Sequence, residues 1–282
     1  MDAHTKIYGI IGYPVRHSFS PVMHNSAFQS AKINAVYLAF EVLPENLKDA
    51  LVGMKAIGIQ GFNVTIPHKE TCIPFLDEVY PTAKIIGAVN TVVLKEGKFI
   101  GYNTDGKGFI RALETELKIK PRGKRFFILG AGGAARAVGF NLLQEGAREL
   151  ALYDIVRSKA ESLVIDLRLH FPNAQIELFT NLPNSPLKGF NCLINATPLG
   201  MKKEDALVID PKVFHPKLIV CDLIYNPPQT KLLKIAQSKR LRTMNGLGML
   251  LYQGVLSWEI WTGKKAPVSI MRKELEKAIA KK

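Results

Sequence analysis

Residues 126–137 read FFILGAGGAARA: an apolar run breaks into Gly130, Gly132 and Gly133, then resumes as a helical pattern of small residues. Arg125–Leu129 has the apolar character of a strand buried in a parallel sheet. The helical pattern extends from Ala134 to Glu145, and Gly146 is placed to stop it. A strand, a glycine turn and a helix in that order point to a βαβ unit. Gly130 permits the tight turn, Gly132 lets the backbone approach a pyrophosphate, and Ala135 holds the third, helix-packing position. Unpaired N–H groups at the helix start favour an anion. A second strand, Glu149–Tyr153, ends in Asp154, at roughly the twenty-residue offset of an acid that binds a ribose diol. A purely structural turn, with Asp154 capping the next helix, would share the glycines. The flanking strand, the helix and the placed acid together favour dinucleotide binding.

A chain of 282 residues fits two modest domains better than one. Its 47% apolar and 22% charged residues describe a globular protein rather than a disordered one. No apolar run approaches a membrane span, and Lys6–Gly12 reads as a first strand rather than a leader. Cys72, Cys192 and Cys221 are far apart and form no CxxC pair, which suits a reducing cytoplasm and argues against a disulfide framework or zinc site. The six histidines lack metal-ligand spacing, so no metal is expected; His68 and His170 read as structural residues. A net charge of +14 permits nucleic acid or anionic small ligands. The basic residues are scattered, with a mild concentration at the C-terminus, and no aromatic-basic surface accompanies them. The expectation is therefore a small-molecule substrate, with no nucleic-acid or membrane partner and a monomer or homodimer.

The first hundred residues alternate strand and helix. Strands are predicted at Lys6–Gly12, Ala35–Glu41 and 61–65, with helices at 21–31, 45–57, 69–76 and Pro81–Ile86. Ser20 takes the N-cap and Pro21 the first helical position of the 21–31 helix. Segments 90–95 and Lys98–Tyr102 form a hairpin about Glu96 and Gly97. This is an α/β domain with a mixed sheet. A helix at 106–117 leads out of it, and 118–124 is a hinge-like connection. Beyond Asp154, helices at 158–171 and 230–240 and strands at 175–179, 192–196, 218–222 and 241–244 complete a doubly wound parallel sheet. Closing helices at 246–262 and Val268–Ala280 are expected to return to the first domain. The domain reading is 1–104, completed by 247–282, for substrate and catalysis, and 105–246 as a Rossmann-type dinucleotide-binding domain.

Polar residues cluster where strands end: Ser18, Ser20, Asn63, Thr65, Lys69, Asn90 and Asp105. Two hydroxyls beside a helix start suit a carboxylate. Taken singly, Ser20 and Asp105 read as N-caps, Thr65 as a strand residue, Asn90 as turn chemistry and Lys69 as a surface lysine. Their joint occurrence beside a dinucleotide domain makes the functional case.

These residues lie in segments that resemble the shikimate dehydrogenase family. The segments are GYPVRHSFSPVMHN at 12–25, NVTIPHK at 63–69, GAVNT at 87–91, GYNTDG at 101–106, GAGGAA at 130–135, NATPLGM at 195–201, DLIYNP at 222–227 and GLGMLLYQ at 246–253. They cover nearly the whole chain in family order. The resemblance implies reversible hydride transfer between 3-dehydroshikimate and shikimate, in chorismate and aromatic amino-acid biosynthesis. By it, Lys69 and Asp105 are the catalytic pair. Ser18 and Ser20 hold the substrate carboxylate, and Thr65, Asn90, Tyr225 and Gln253 bind ring hydroxyls or carboxylate. Gly130, Ala131, Gly132, Gly133, Ala134, Asp154, Thr197, Leu223 and Gly246 line the dinucleotide.

The chain departs from the family at one place. Many members have Asn-Arg-Thr after the second strand of the cofactor domain, and the arginine pairs with the 2′-phosphate of NADP. Here Asp154, Ile155 and Val156 occupy those positions. A carboxylate should accept from a free 2′-hydroxyl and repel a phosphate, so NAD is expected over NADP, with Arg157 and Lys159 as a partial rescue for NADP. An NAD preference also raises a catabolic alternative, because some NAD-using relatives oxidise quinate as well. Two further readings are another two-domain dehydrogenase, such as the methylene-tetrahydrofolate enzymes, and an inactive nucleotide sensor or nucleic-acid binder. The Ser-x-Ser segment speaks against the first, and the retained Lys69 and Asp105 against the second.

Overall fold

The structure, a computed structural model, describes residues 1–281. The chain runs through β1 (Lys6–Gly12), α1 (Ser20–Ser30), β2 (Ala35–Glu41), α2 (Leu47–Ala56), β3 (Gly61–Val64), α3 (His68–Thr71), β4 (Glu78–Val79), α4 (Pro81–Ile86), β5 (Thr91–Lys95) and β6 (Lys98–Tyr102). It continues through α5 (Asp105–Glu116), β7 (Arg125–Leu129), α6 (Gly133–Gln144), β8 (Glu149–Tyr153), α7 (Arg157–His170), β9 (Gln175–Leu178), β10 (Cys192–Asn195), β11 (Ile219–Asp222), α8 (Lys231–Ser238), β12 (Arg242–Met244), α9 (Leu247–Thr262) and α10 (Val268–Ala280). This is an α/β protein with one mixed and one parallel six-stranded sheet.

Two compact units divide it: residues 1–104 with 253–282, and residues 105–252. The second boundary lies inside α9, between Tyr252 and Gln253, rather than ahead of the helix at 246/247. The start of α9 belongs with α5. A Cβ on Gly248 would press on the Ala112 methyl at 2.9 Å, and the Arg111 guanidinium stands 4.9 Å from the centre of the Tyr252 ring.

In the first unit the strand order is β2-β1-β3-β5-β6-β4. β1 runs parallel to β2 and β3, while β5 runs antiparallel to β3 and β6. The two-residue β4 adds a parallel edge to β6, where the sequence pattern showed no strand. Ile11, Phe62, Val64, Val92 and Phe99 from the sheet pack with Leu47, Leu51 and Met54 of α2. α9 is seated on the sheet through Trp261, whose indole N–H donates to the Val92 carbonyl at 2.8 Å; Gly61 leaves room for the ring.

Two local expectations change. The helix expected at 69–76 stops at Thr71 and is followed by a separate 3₁₀ turn, Ile73–Phe75. Pro74 has no N–H to give to Glu70, and its ring would crowd that carbonyl. Ser20 is the first residue of α1 rather than its cap. Phe19 already has helical dihedrals, and the Ser18 Oγ accepts from the Ser20 N–H at 3.2 Å.

In the second unit all strands are parallel, in the order β12-β11-β10-β7-β8-β9. β7 pairs with β8 on one side and β10 on the other. The chain winds outward from β7, then returns to build the opposite half. Phe127, Leu129, Leu193, Val220 and Leu233 centre the core, consistent with strands apolar on both faces. The reversal of strand order between β7 and β10 is where such sheets open a crevice at their carboxyl ends.

Candidate functional site

At the carboxyl end of β7, Gly130 has φ +103°, and a Cβ there would lie 3.0 Å from the Ala196 carbonyl carbon. Dihedral and clearance both require glycine. Gly132 precedes α6 in extended conformation, and a Cβ on it would meet no atom within 4 Å. No neighbouring protein atom needs that clearance, whereas a group approaching the α6 N-terminus would use it. Ala131 is buried, while Gly133 and Ala134 form the start of α6 and are partly exposed. α6 has no side-chain cap, so its first N–H groups are not satisfied by a local side chain.

Asp154 sits at the end of β8. Its Oδ2 accepts from the Ala131 N–H and its Oδ1 from the Val156 N–H, each at 2.7 Å. The carboxylate therefore ties the glycine turn to the start of the next segment, and each oxygen keeps a lone pair for a further donor. The structural and the functional reading of this residue are compatible. Beside it, Ile155 is 88% exposed.

The ends of β10 and β11 and the start of α8 are joined by one buried polar chain. Asn195 Oδ1 accepts from the Thr197 N–H at 3.0 Å and its hydroxyl at 2.7 Å. Asn195 Nδ2 donates to Asp222 Oδ1 at 3.1 Å, which also accepts from the Ile224 N–H at 3.1 Å. Thr230, the cap of α8, donates its hydroxyl to Asp222 Oδ2 at 2.7 Å. Burial pushes the Asp222 carboxyl up to about 6, against the opposing pull of Thr230, Ile224 and Asn195. Leu223 donates its N–H to the Asn195 carbonyl at 2.9 Å. Gly246 lies so close to the Leu223 carbonyl that any side chain would collide with it. Thr197, Leu223 and Gly246 thus belong to connected strand ends of one sheet. Tyr225 follows on the same loop, half-buried, its phenol pushed up by burial.

In the first unit the 13–18 loop is fastened by Glu41, which accepts from the Val15 N–H at 3.4 Å and pairs with Arg16 at 3.4 Å. Ser18 also lines a groove of about 440 Å³ whose wall carries Arg16, His17, Lys277 and Lys281 against the single acid Glu274. Ser20 is buried. Thr65 follows β3, and its methyl abuts Gly12 at the end of β1. Lys69 lies on α3, half-buried, and its carbonyl accepts from the Val89 N–H at 2.8 Å, which holds α3 against the segment before Asn90. Asn90 and Gln253 meet directly, with Asn90 Nδ2 donating to Gln253 Oε1 at 3.3 Å. Asp105 is buried and opens α5 at the start of the second unit. Among the described residues, no group of three or more His, Cys, Asp or Glu is placed to hold a metal ion, and no helix is long and apolar enough to cross a membrane.

Some of these positions fall within known domains. Residues 10–92 match the shikimate dehydrogenase substrate binding domain, and residues 246–276 match the shikimate 5′-dehydrogenase C-terminal domain. The shikimate dehydrogenase (NADP(+)) of Desulforamulus reducens is 47% identical, with 100% of this chain and 98% of that protein covered. The chain belongs to the shikimate dehydrogenase family. A crystal structure of a shikimate dehydrogenase in complex with NADP+ superposes with a TM-score of 0.92 at 43% identity, covering 99% of this chain and 97% of that one. The Listeria monocytogenes shikimate 5-dehydrogenase in complex with shikimate and NAD gives a TM-score of 0.88 at 37% identity, with 98% of each chain covered. The family's substrate binding domain model thus spans Ser18 through Asn90, and its C-terminal model spans Gly246 and Gln253.

Pattern reading singled out Asn63 but missed its buried polar neighbours Thr91, Thr104 and Ser257 in the first unit, and it missed Asn195, Asp222 and Thr230 in the second. Both were signalled by polar residues inside or ending apolar strands. Gln253, Ser257 and Trp261 also recur at four-residue intervals along a largely apolar helix, which places them on one face.

Proposed function

We propose that the protein is a shikimate dehydrogenase that interconverts shikimate and 3-dehydroshikimate with a nicotinamide dinucleotide, NAD preferred over NADP. The observation that carries this reading is full-length similarity to shikimate dehydrogenases with Lys69 and Asp105 both present in their motifs. Ser18 and Ser20 hold the substrate carboxylate, helped by the basic groove wall that Ser18 shares. Thr65, Asn90, Tyr225 and Gln253 hold the remaining oxygens.

Oxidation of a secondary alcohol takes a proton from oxygen and a hydride from carbon. The bound dinucleotide supplies the hydride acceptor. Lys69 takes the hydroxyl proton in that direction and returns it to the ketone oxygen in the other, with Asp105 as its acidic partner. The glycine turn fits such a cofactor: Gly132 offers clearance, the α6 N-terminus offers backbone donors, and Asp154 offers acceptor oxygens. Thr197, Leu223 and Gly246 supply the neighbouring strand ends.

The NAD preference separates this chain from relatives whose names carry NADP(+). It is supported by the anchored carboxylate of Asp154 and by the exposed apolar Ile155 where many members carry arginine. A carboxylate fixed by two backbone donors cannot swing away to admit a phosphate without losing both bonds. The Listeria monocytogenes complex with NAD supports a family scaffold able to accept that dinucleotide. The test is a two-by-two comparison of kcat/KM for shikimate and quinate with NAD and NADP. Shikimate with NAD should be the best pair. A best rate with NADP removes the cofactor proposal, a best rate with quinate points to the catabolic alternative, and no rate with any pair removes the activity.

A further inference from the structure

Behind Asn90 and Gln253 lies a closed set of buried polar groups from four segments: Tyr37 on β2, Asn63 on β3, Thr91 and Thr104 at the ends of the β5–β6 hairpin, and Ser257 on α9. Ser257 is its hub. Its Oγ lies 2.9 Å from the Gln253 carbonyl, 2.7 Å from Thr91 Oγ1 and 3.0 Å from Asn63 Nδ2, with Thr104 Oγ1 further away at 3.3 Å. A hydroxyl has one proton and two lone pairs. The carbonyl can only accept, so the Ser257 proton goes to Gln253, and both lone pairs face Thr91 and Asn63. Asn63 is held in turn by Tyr37, whose phenol donates to its Oδ1 at 2.8 Å.

The polarity carries through to the amides that the proposed function assigns to substrate. The Thr104 N–H can only donate, and it lies 2.8 Å from Asn90 Oδ1, which fixes which end of that amide is oxygen. Asn90 Nδ2 therefore faces Thr104 Oγ1 at 2.9 Å and Gln253 Oε1 at 3.3 Å. Gln253 is thereby oriented with its carbonyl toward Asn90, which fixes its NH₂ as the opposite end of the amide. Thr91 has one proton for two acceptors, Ser257 at 2.7 Å and Asn90 Oδ1 at 3.0 Å. Without the Ser257 hydroxyl, Thr91 turns wholly to Asn90, Asn63 loses an acceptor, and α9 loses the bond one turn past Gln253.

We propose that Ser257 is a positioning residue for substrate: through Thr91, Asn63 and the Gln253 carbonyl, it fixes the direction in which Asn90 and Gln253 present their amides. This rests on the shikimate reading above. Ser257→Ala should raise KM for shikimate about fivefold to tenfold, the effect of disturbing one or two buried hydrogen bonds. KM for the dinucleotide should stay at the wild-type value. Ser257→Thr, which keeps the hydroxyl, should restore most of the loss. Thr91→Val removes the facing hydroxyl at nearly constant volume and should raise the shikimate KM in the same way. It carries the test alone if Ser257→Ala fails to fold.

A merely structural role would lower the melting temperature and the active fraction, and hence kcat, with the shikimate KM unchanged. That result in both variants overturns the proposal, as does a raised KM that Ser257→Thr leaves unrescued. A wild-type chain that does not oxidise shikimate overturns the functional reading and this inference together. A variant matching an active wild type overturns the inference alone.

Discussion

Replacing Asp222 with Asn tests the electrostatics of the second unit. The carboxylate is 1% exposed, and burial lifts it from 3.8 to about 6 even with three donors opposing. At about 1.4 kcal/mol per pKa unit, keeping it charged in the folded state at pH 8 costs about 3 kcal/mol relative to the unfolded chain. Because the folded state holds the proton to higher pH, it binds more protons than the unfolded chain between roughly pH 4 and pH 6. This contribution to stability is fully present below about pH 3.8 and is lost as pH rises through about 6. Integrated from pH 8 down to pH 5, the wild type gains on the order of 1 kcal/mol from this one group. Asp222→Asn keeps an oxygen for Ile224 and Asn195 and turns an NH₂ toward Thr230, whose hydroxyl must rotate to accept. That rotation costs about 1 kcal/mol, so the variant should be at least as stable as wild type at pH 8 and should lack the gain at pH 5. The assay is urea unfolding at the two pH values, followed by far-ultraviolet circular dichroism. Both tryptophans, Trp258 and Trp261, lie in the other unit, so their fluorescence would report the wrong sheet. An equal change in unfolding free energy between pH 8 and pH 5 for both proteins would refute the claim that desolvation dominates at Asp222.

Lys69→Ala should lower kcat by about 100-fold or more, the ordinary scale of a lost general acid–base, while the shikimate KM changes only a few-fold. Steady-state kinetics check this, and unchanged turnover with a raised KM would remove Lys69 from the proton-transfer role. Ile155→Arg should raise the NADP-to-NAD ratio of kcat/KM by about tenfold, roughly one favourable charge contact with a phosphate. It does so without touching the two backbone bonds of Asp154, and a ratio left at the wild-type value would place the specificity elsewhere.

Much of the architecture was legible because its causes are local. The four apolar residues before Gly130, the small residues after it and the acid ending the next strand define a βαβ unit through steric rules a few residues long. Alternation of strand and helix from 125 to 178, and again from 219 to 244, pointed to the parallel sheet. Misreadings arose where a neighbour outvoted local pattern. Pro74 cut a helix that periodicity would have carried to 76. Phe19 took helical dihedrals one residue ahead of the expected cap. The 78–79 strand is too short to announce itself and exists only because β6 offers an edge.

For the site, residue types and their order were readable along the chain: Lys69 after β3, Asn90 before the hairpin, the glycines after β7, Gln253 on a late helix. Those follow from motif spacing along one chain. Which of them are oriented, and by what partner, depends on contacts between segments distant in sequence. Ser257 reaches Asn63 and Thr91 across more than 160 residues of chain, and Asp154 reaches back to Ala131. A hydrogen bond depends on distance and angle in space, and a buried carboxyl takes its pKa from the water it has lost; neither quantity exists until the sheet closes around it.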